Sequence, residues 1–144
     1  MEAWEVAARL GVEDTLARYT RFADGGRSAD LAGLFTEDGA LVVAGNAVTG
    51  REAIAAYLEG NKTSLGASAA GGGRIRHHTS SLRMDFASPD DATTTSYFLA
   101  ITAAGPDHWG VYRDRLVRVD DRWLFERREA IPEGHAPGGW QDQG

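Results

Sequence analysis

Residues 74–86, RIRHHTSSLRMDF, place two adjacent histidines, His77 and His78, in a segment with the pattern of a β-strand. Histidine has an ordinary pKa of about 6.5, which suits proton transfer near neutral pH. Successive side chains of a regular strand point to opposite faces, so at most one of the two can look into a cavity. For the same reason they cannot jointly chelate one metal ion. The pattern therefore indicates a single working histidine at this place.

Because side chains alternate along a strand, the residues of this segment fall on two opposite faces. His77 shares a face with Thr79 and Ser81, a polar row that could line a pocket. The opposite face carries His78 and three apolar residues, and it predicts a core or an oligomer face. Those residues are Leu82, Met84 and Phe86. A β-bulge would exchange the two faces, so parity leaves open which histidine faces the pocket.

Other side chains could support a histidine base. A carboxylate such as Asp24 can fix the tautomer of an imidazole and stabilise the imidazolium. Arg128 or Tyr19 can donate hydrogen bonds to a developing oxyanion or a leaving hydroxyl. Tyr112 is a further candidate, whereas Asp114 alternates with arginines in a pattern typical of a solvated or interface face. This chemistry requires no metal and no organic cofactor.

Composition excludes several function classes. The 144 residues carry a formal net charge of −6, which argues against binding to nucleic acid. The chain has no cysteine, so it has no disulfide, zinc–thiolate site or thiol nucleophile. No apolar run reaches the roughly 18–20 residues of a membrane span, and the N-terminus does not resemble a signal peptide. We therefore expect a cytoplasmic protein that does not bind membranes.

Helical and strand patterns follow one another along the chain. Helices are predicted at about 4–23, 28–35 and 50–61, with one short strand at 40–45 between the second and third helices. The C-terminal half predicts four strands, at 74–87, 92–102, 109–119 and 122–131. Residues 66–73 form a Gly-rich segment, predicted to be a mobile loop. Whether it closes over the pocket as a lid stays open. We expect one domain over 1–132 and a flexible tail over 133–144.

This order predicts an α+β fold. Three N-terminal helices should pack on a strongly curved, mostly antiparallel sheet and form a cone-shaped α+β barrel. Such a cone encloses a pocket, which is a natural site for a small molecule.

Three segments carry a resemblance to a known family: YTRFADGGRSADLAGLFTED, RIRHHTSSLRMDF and VYRDRLVRVDDRWLFERRE. They resemble the SnoaL-like branch of the nuclear transport factor 2-like superfamily, nearest the group of scytalone dehydratase, hexachlorocyclohexane dehydrochlorinase and the bile-acid dehydratase. The likeness covers almost the whole chain up to Ala130. No single motif is specific, but the three landmarks fall in the family's order.

The resemblance implies a catalytic pair of Asp24 and, by best position, His77, with His78 one residue away as the other possibility. It also implies catalytic roles for Tyr19 and Arg128. Two family features are absent, because Tyr19 stands where the dehydrochlorinase has a lysine and Ala100 lies where the bile-acid enzyme has an aspartate. Four further residues are expected to bind substrate. They are Tyr57, His78, Tyr97 and Tyr112.

The resulting hypothesis is a cofactor-free lyase or isomerase acting on a small, apolar, oxygenated ring compound. Dehydration, isomerisation and cyclisation stay open, and so does the substrate. The alternative is a non-catalytic module that holds a small molecule or a partner in the same cone. His108 and His135 receive no role. Association into a homotrimer or homodimer is expected, through an apolar outer face of Leu82, Met84 and Phe86.

Overall fold

A computed structural model describes residues 1–67 and 74–142 of the chain. It has the predicted α+β architecture, with three helices in the N-terminal half and a six-stranded curved sheet whose first two strands precede the third helix in the chain. The elements are α1 Ala3–Asp24, α2 Ser28–Ala32, β1 Phe35–Val43, β2 Asn46–Thr49, α3 Arg51–Ala67, β3 Arg76–Ser88, β4 Asp91–Thr102, β5 Gly105–Val119 and β6 Arg122–His135.

The sheet has six strands in the order β2-β1-β6-β5-β4-β3. Strands β3 to β6 form an antiparallel meander, and β1 joins it through a parallel pairing with β6. The strand predicted at 40–45 is instead part of a hairpin. Ala44 and Gly45 make its two-residue turn with φ angles of 49° and 82°, as expected for a tight hairpin turn in which both central residues have positive φ.

Helix α1 sets the position of the first candidate side chain. It buries Ala8, Val12, Thr15 and Tyr19, a spacing of four, three and four residues that forms one helical stripe. Thr15 Oγ1 donates to the carbonyl oxygen of Trp123 at 2.7 Å and fixes the helix against β6.

The end of α1 is defined by two glycines. Gly25 caps the helix, and Gly26 adopts a φ of +67°, a conformation that glycine reaches without steric cost. The backbone N–H of Arg27 then bonds to the carbonyl oxygen of Phe22 at 2.9 Å. Asp24 is therefore the last residue of the helix and projects from a fixed end.

A bulge in β3 resolves the question of parity. Ser81 has a φ of +55°, and the pairing with β4 shifts between Ser80 and Arg83. Because the bulge exchanges the faces, His77 before it and Met84 and Phe86 after it all face the interior. Met84 and Phe86 pack against the core, so the expectation that they form an outer oligomer face is wrong. Leu82 is half-buried.

Several predicted boundaries differ from the structure. Helix α2 ends at Ala32 rather than at residue 35, and strand β1 already begins at Phe35. Helix α3 continues to Ala67, past the predicted start of the glycine-rich loop. The rest of that loop, 68–73, lies outside the described residues. Strand β6 runs to His135, three residues beyond the predicted end of the domain, because the register of β5 and β6 continues to the pair His108 and His135.

Within the described ranges, no helix is both long and apolar enough to cross a membrane.

Close packing of α1 on the sheet gives a test of this architecture. A Cβ atom on Gly11 would lie 2.6 Å from Cδ1 of Trp123, which is buried. Gly11→Ala should therefore lower the free energy of unfolding by about 1–2 kcal/mol, because overpacking outweighs the better helix propensity of alanine. The matched change Gly60→Ala in α3 meets nothing within 4 Å and should raise it by about 0.5–1 kcal/mol. Urea unfolding of both variants measures the difference, and equal effects would contradict the packing.

Candidate active site

The concave face of the sheet and the helices enclose a cavity of about 630 Å³. Its walls are largely apolar, with Phe22 from α1, Leu58 and Leu65 from α3 and Phe98 from β4. A few polar groups enter this apolar space from the helix end and from the meander. Ligand pockets in proteins have volumes of roughly 300–1,000 Å³ and this mixture of surfaces. The cavity is therefore the candidate site.

The structure brings Asp24 and His77 together at the cavity wall. His77 Nδ1 lies 2.7 Å from Asp24 Oδ1. The backbone N–H of His77 also donates to both carboxylate oxygens, at 3.2 and 3.1 Å. The two side chains are only 16% and 9% exposed. Since a carboxylate accepts hydrogen bonds, Nδ1 carries the proton and Nε2 is left as a base.

A second histidine–aspartate pair lies beside the first. His108 Nδ1 is 2.8 Å from Asp107 Oδ2, and the Asp107 side chain is 1% exposed. The ring centroids of His77 and His108 are 6.0 Å apart, and both rings line the cavity. The site therefore has two carboxylate-held imidazoles rather than one.

Sequence reasoning missed His108 because it placed the residue in a turn. Strand β5 begins at Gly105, which brings His108 into the sheet. Its cross-strand neighbours are Ala100 on β4 and His135 on β6, and Ala100 in turn pairs with His77. Three histidines thus lie in one row across the meander, with a small alanine between the first two. The adjacent residues Asp107 and His108 were the signal for this pair in the sequence. Only the strand register shows that His108 lies beside His77.

The surroundings of His108 favour its neutral form. Burial lowers the pKa of His108 below its ordinary value, and the nearby His77 acts in the same direction. The bond to Asp107 opposes both effects without cancelling them. At neutral pH the His108 ring is therefore an acceptor at Nε2 with Nδ1–H held by Asp107.

Three of the predicted tyrosines line the cavity, namely Tyr19, Tyr57 and Tyr112. Tyr112 stacks on Phe98, with a centroid distance of 4.5 Å, and forms part of the aromatic floor. Burial raises the pKa of both Tyr19 and Tyr112. Their hydroxyls are therefore protonated at neutral pH and can donate hydrogen bonds into the cavity.

Arg128, for which the resemblance implies a catalytic role, is a buried residue of β6. Its side chain is 1% exposed and lies outside the cavity lining, behind the tyrosine layer. The guanidinium carbon is 4.1 Å from the ring centroid of Tyr19 and 3.6 Å from that of Tyr112. The cation therefore lies between two aromatic rings and contacts the site through them.

The partner of Arg128 is Asp114, which is buried rather than solvated. Arg128 Nε lies 3.0 Å from Asp114 Oδ1, and Thr94 Oγ1 donates to Asp114 Oδ2 at 2.9 Å. Within the described residues, neither Nε nor Oδ1 has an aligned hydrogen-bond partner. The contact is thus an ion pair without good hydrogen-bond geometry. The charge alternation around Asp114 did not reveal its burial, because the pattern gives no sign of which face is covered.

The other two residues predicted to bind substrate do not reach the cavity. His78 is exposed and lies on the opposite face of β3 from His77. Tyr97 is 57% exposed on β4 and also lies outside the lining. Both follow from strand alternation, because their neighbours His77 and Phe98 take the inward positions.

Comparisons with solved structures agree with this architecture. The chain is 30% identical to a crystal structure named "Putative Scytalone Dehydratase" from Novosphingobium aromaticivorans, with a TM-score of 0.81, covering 94% of this chain and 91% of that one. It is 23% identical to an NTF2-like protein with a cystatin-like fold from the same organism (TM-score 0.78, coverage 96% and 90%). LinA is 21% identical, also with a TM-score of 0.78, over 93% and 91% of the two chains. The last two share the fold.

Among curated protein sequences no significant match is found. The SnoaL-like domain family, by contrast, matches residues 4–129, from the first turn of α1 into β6. The chain belongs to the SnoaL-like family.

Proposed function

We propose that this protein is a cofactor-independent lyase or isomerase in which His77, held by Asp24, is the general base. The observation that carries the proposal is the 2.7 Å contact between Nδ1 of His77 and the Asp24 carboxylate at the wall of an apolar cavity. This contact leaves Nε2 as the atom available to a ligand. A base held in this way typically contributes about 10²–10⁴-fold to a proton transfer.

The reaction begins at a carbon next to a carbonyl group. Nε2 of His77 takes the proton, and the electron pair of the C–H bond moves into an enolate. Asp24 stabilises the imidazolium that forms. The hydroxyl of Tyr19 or Tyr112 donates to the enolate oxygen, which is the atom where negative charge develops.

The fate of the enolate decides the type of reaction. In a dehydration, the enolate expels a hydroxyl group from the neighbouring carbon, and this group takes the proton from His77 and leaves as water. In an isomerisation, His77 returns the proton to another carbon. In a cyclisation, the enolate carbon attacks a second carbonyl group of the same substrate, and the new alkoxide takes the proton from His77. Each course returns His77 to its neutral form, so the protons balance without a cofactor.

The second imidazole orients the substrate in this proposal. His108 is neutral, with its Nδ1–H bound to Asp107, so Nε2 accepts a hydrogen bond from a substrate hydroxyl. The aromatic floor of Phe98 and Tyr112 offers a flat surface to a ring. These features favour a planar, hydroxylated ring ketone. The relative named as a scytalone dehydratase supports water loss as the first reaction to test.

The test measures proton abstraction directly. A ring ketone that lacks a leaving group, such as 2-tetralone, is incubated with the protein in D₂O, and deuterium uptake at the carbon next to the carbonyl is followed by NMR. We expect exchange well above the rate of buffer alone, and its loss in His77→Gln. In parallel, β-hydroxy ring ketones are screened for the ultraviolet absorbance of the conjugated product.

One result would contradict the proposal. If the ketones bind, as measured by calorimetry, but the protein accelerates neither exchange nor water loss, the cavity is a binding site without catalysis. That outcome supports the alternative of a small-molecule carrier. Assembly into a homotrimer or homodimer stays a prediction.

A further inference from the structure

The carboxylate of Asp107 joins a pocket histidine to the C-terminal segment. Its Oδ2 atom bonds to His108 Nδ1 at 2.8 Å and accepts the backbone N–H of Gln141 at 3.3 Å. Its Oδ1 atom accepts the backbone N–H of Trp140 at 2.6 Å. One buried carboxylate therefore has partners in β5 and in the residues beyond β6.

Residues 136–142, here called the C-terminal strap, cross from β5 to α3. The backbone N–H of Ala136 donates to the carbonyl oxygen of Asp107 at 2.7 Å. At the other end, Trp140 Nε1 donates to Ser64 Oγ of α3 at 3.0 Å. The Trp140 ring lies edge-on to His108, with a centroid distance of 5.9 Å, and lines the cavity. The strap is therefore one wall of the site.

Packing at the centre of the strap is close. A Cβ atom on Gly139 would lie 2.6 Å from Asp107 Oδ1. A larger side chain must separate the strap from the carboxylate, by moving one or the other. A substitution at position 139 therefore breaks this contact without replacing Asp107 or His108.

We propose that Asp107 is a positioning residue that couples docking of the C-terminal strap to the proton state of His108. When the strap is docked, Asp107 holds the Nδ1–H tautomer of His108 in a pocket that Trp140 shields from water. When the strap leaves, His108 gains water and Asp107 loses two backbone donors. The inference concerns the same pocket as the proposed function, but its test requires no substrate, so the two can fail separately.

The charged groups around His108 determine how docking of the strap depends on pH. Three titratable groups lie near His108, namely Asp107 on the same strand, His77 on β3 and His135 on β6. The Nδ1 atom of His135 lies 3.8 Å from Oδ1 of Asp142 in the strap. In the docked state burial lowers the pKa of His108. For Asp107, burial opposes ionisation, but the bonds from His108 and Trp140 outweigh it and lower the pKa of that carboxyl.

Undocking of the strap affects the pKa of His108 in two ways, and both raise it. Hydration of the ring raises the pKa of His108, and so does a carboxylate that is no longer shared with backbone N–H groups. The docked form thus binds fewer protons than the open form. By linkage, docking is strongest above the ordinary histidine pKa of about 6.5 and weakens as the pH falls through the lowered pKa of His108.

Two variants disturb the strap at two different contacts. Gly139→Ala acts at Asp107, and Ser64→Ala removes the bond to Trp140 Nε1. Thr63→Ala, the exposed neighbour of Ser64, is the matched control. Amide hydrogen exchange of residues 138–142 reports docking, and a ¹⁵N NMR titration reports the pKa and tautomer of His108.

We expect both variants to speed exchange of the strap by about tenfold, the effect of losing one strong hydrogen bond. Both should also raise the pKa of His108, with neither change in the Thr63→Ala control. In the unmodified protein, protection of the strap should fall as His108 takes up its proton. Faster exchange with an unchanged His108 titration would overturn the proposal, and so would unchanged exchange in both variants.

Discussion

Replacing His77 with glutamine should lower the rate of proton abstraction by about 10²–10⁴-fold, because glutamine fills much of the same space but cannot accept a proton at neutral pH. The fold should survive the change. Asp24 keeps the two hydrogen bonds from the backbone N–H of residue 77, which do not depend on the side chain. The carboxylate is therefore not left as an unpaired buried charge, and the loss of rate reports chemistry rather than unfolding.

The neighbouring His78 provides a matched control. His78→Gln makes the same chemical change one residue away, on the exposed face of the same strand. It should leave the rate within about twofold of the unmodified protein, since exposed substitutions away from the site have small effects. Deuterium exchange of the ring ketone measures both variants, with circular dichroism as a check of folding. Equal rates for His77→Gln and the unmodified protein would eliminate His77 as the base.

Asp24→Asn separates the carboxylate from the imidazole. Asparagine can still accept from the Nδ1–H of His77 but carries no charge to stabilise the imidazolium. We expect a loss of rate in the same range as for His77→Gln, measured by the same deuterium exchange. The double variant should then be little slower than either single variant, because the two residues act as one unit.

Arg128→Met is expected to have the largest effect on stability. It removes the cation from between Tyr19 and Tyr112 and leaves Asp114 buried without its partner. Breaking a buried ion pair in this way typically costs about 3–5 kcal/mol. Urea unfolding should show this loss. Arg127→Met, the preceding residue in the strand, removes an exposed arginine paired with Glu129 at 3.2 Å and should cost less than about 1 kcal/mol.

A double variant tests whether the reaction rate depends on the positive charge of Arg128 or only on the stability that the buried ion pair gives. Arg128→Met combined with Asp114→Leu removes both members of the pair and should recover most of the lost stability. If the folded double variant retains its rate, the charge of Arg128 is not needed for catalysis and the residue acts in stability alone. If it folds but is slow, the positive charge behind the tyrosines assists the enolate. A single variant as stable as Arg127→Met would show that the ion pair is not structurally important.

Much of the fold could be predicted from local pattern. The helical spacing of buried residues in α1 and the alternation along β4 depend only on which side chains avoid water, and that information lies in the sequence itself. The order of helices and then strands, and with it the α+β class, follows from the same patterns. The resemblance of three segments added the pairing of Asp24 with His77.

Contacts between distant residues set the features that the sequence could not supply. The bulge at Ser81 arises from the pairing of β3 with β4, and it decides that His77 and Met84 share a face. The register of β5 brings His108 beside His77, although the two are far apart in the chain.

Contacts between residues distant in the chain also decide which charged side chains are buried. Alternating charges around Asp114 are typical of a solvated strand, yet Asp114 and Arg128 are both buried, and the rings of Tyr19 and Tyr112 lie against the Arg128 guanidinium. The sequence by itself thus determined the α+β class and most of the elements, and the resemblance indicated the pair of Asp24 with His77 or His78. Only the tertiary structure decided which polar side chains share the cavity, because strand register and burial depend on residues distant in the chain that alternation within one strand does not report.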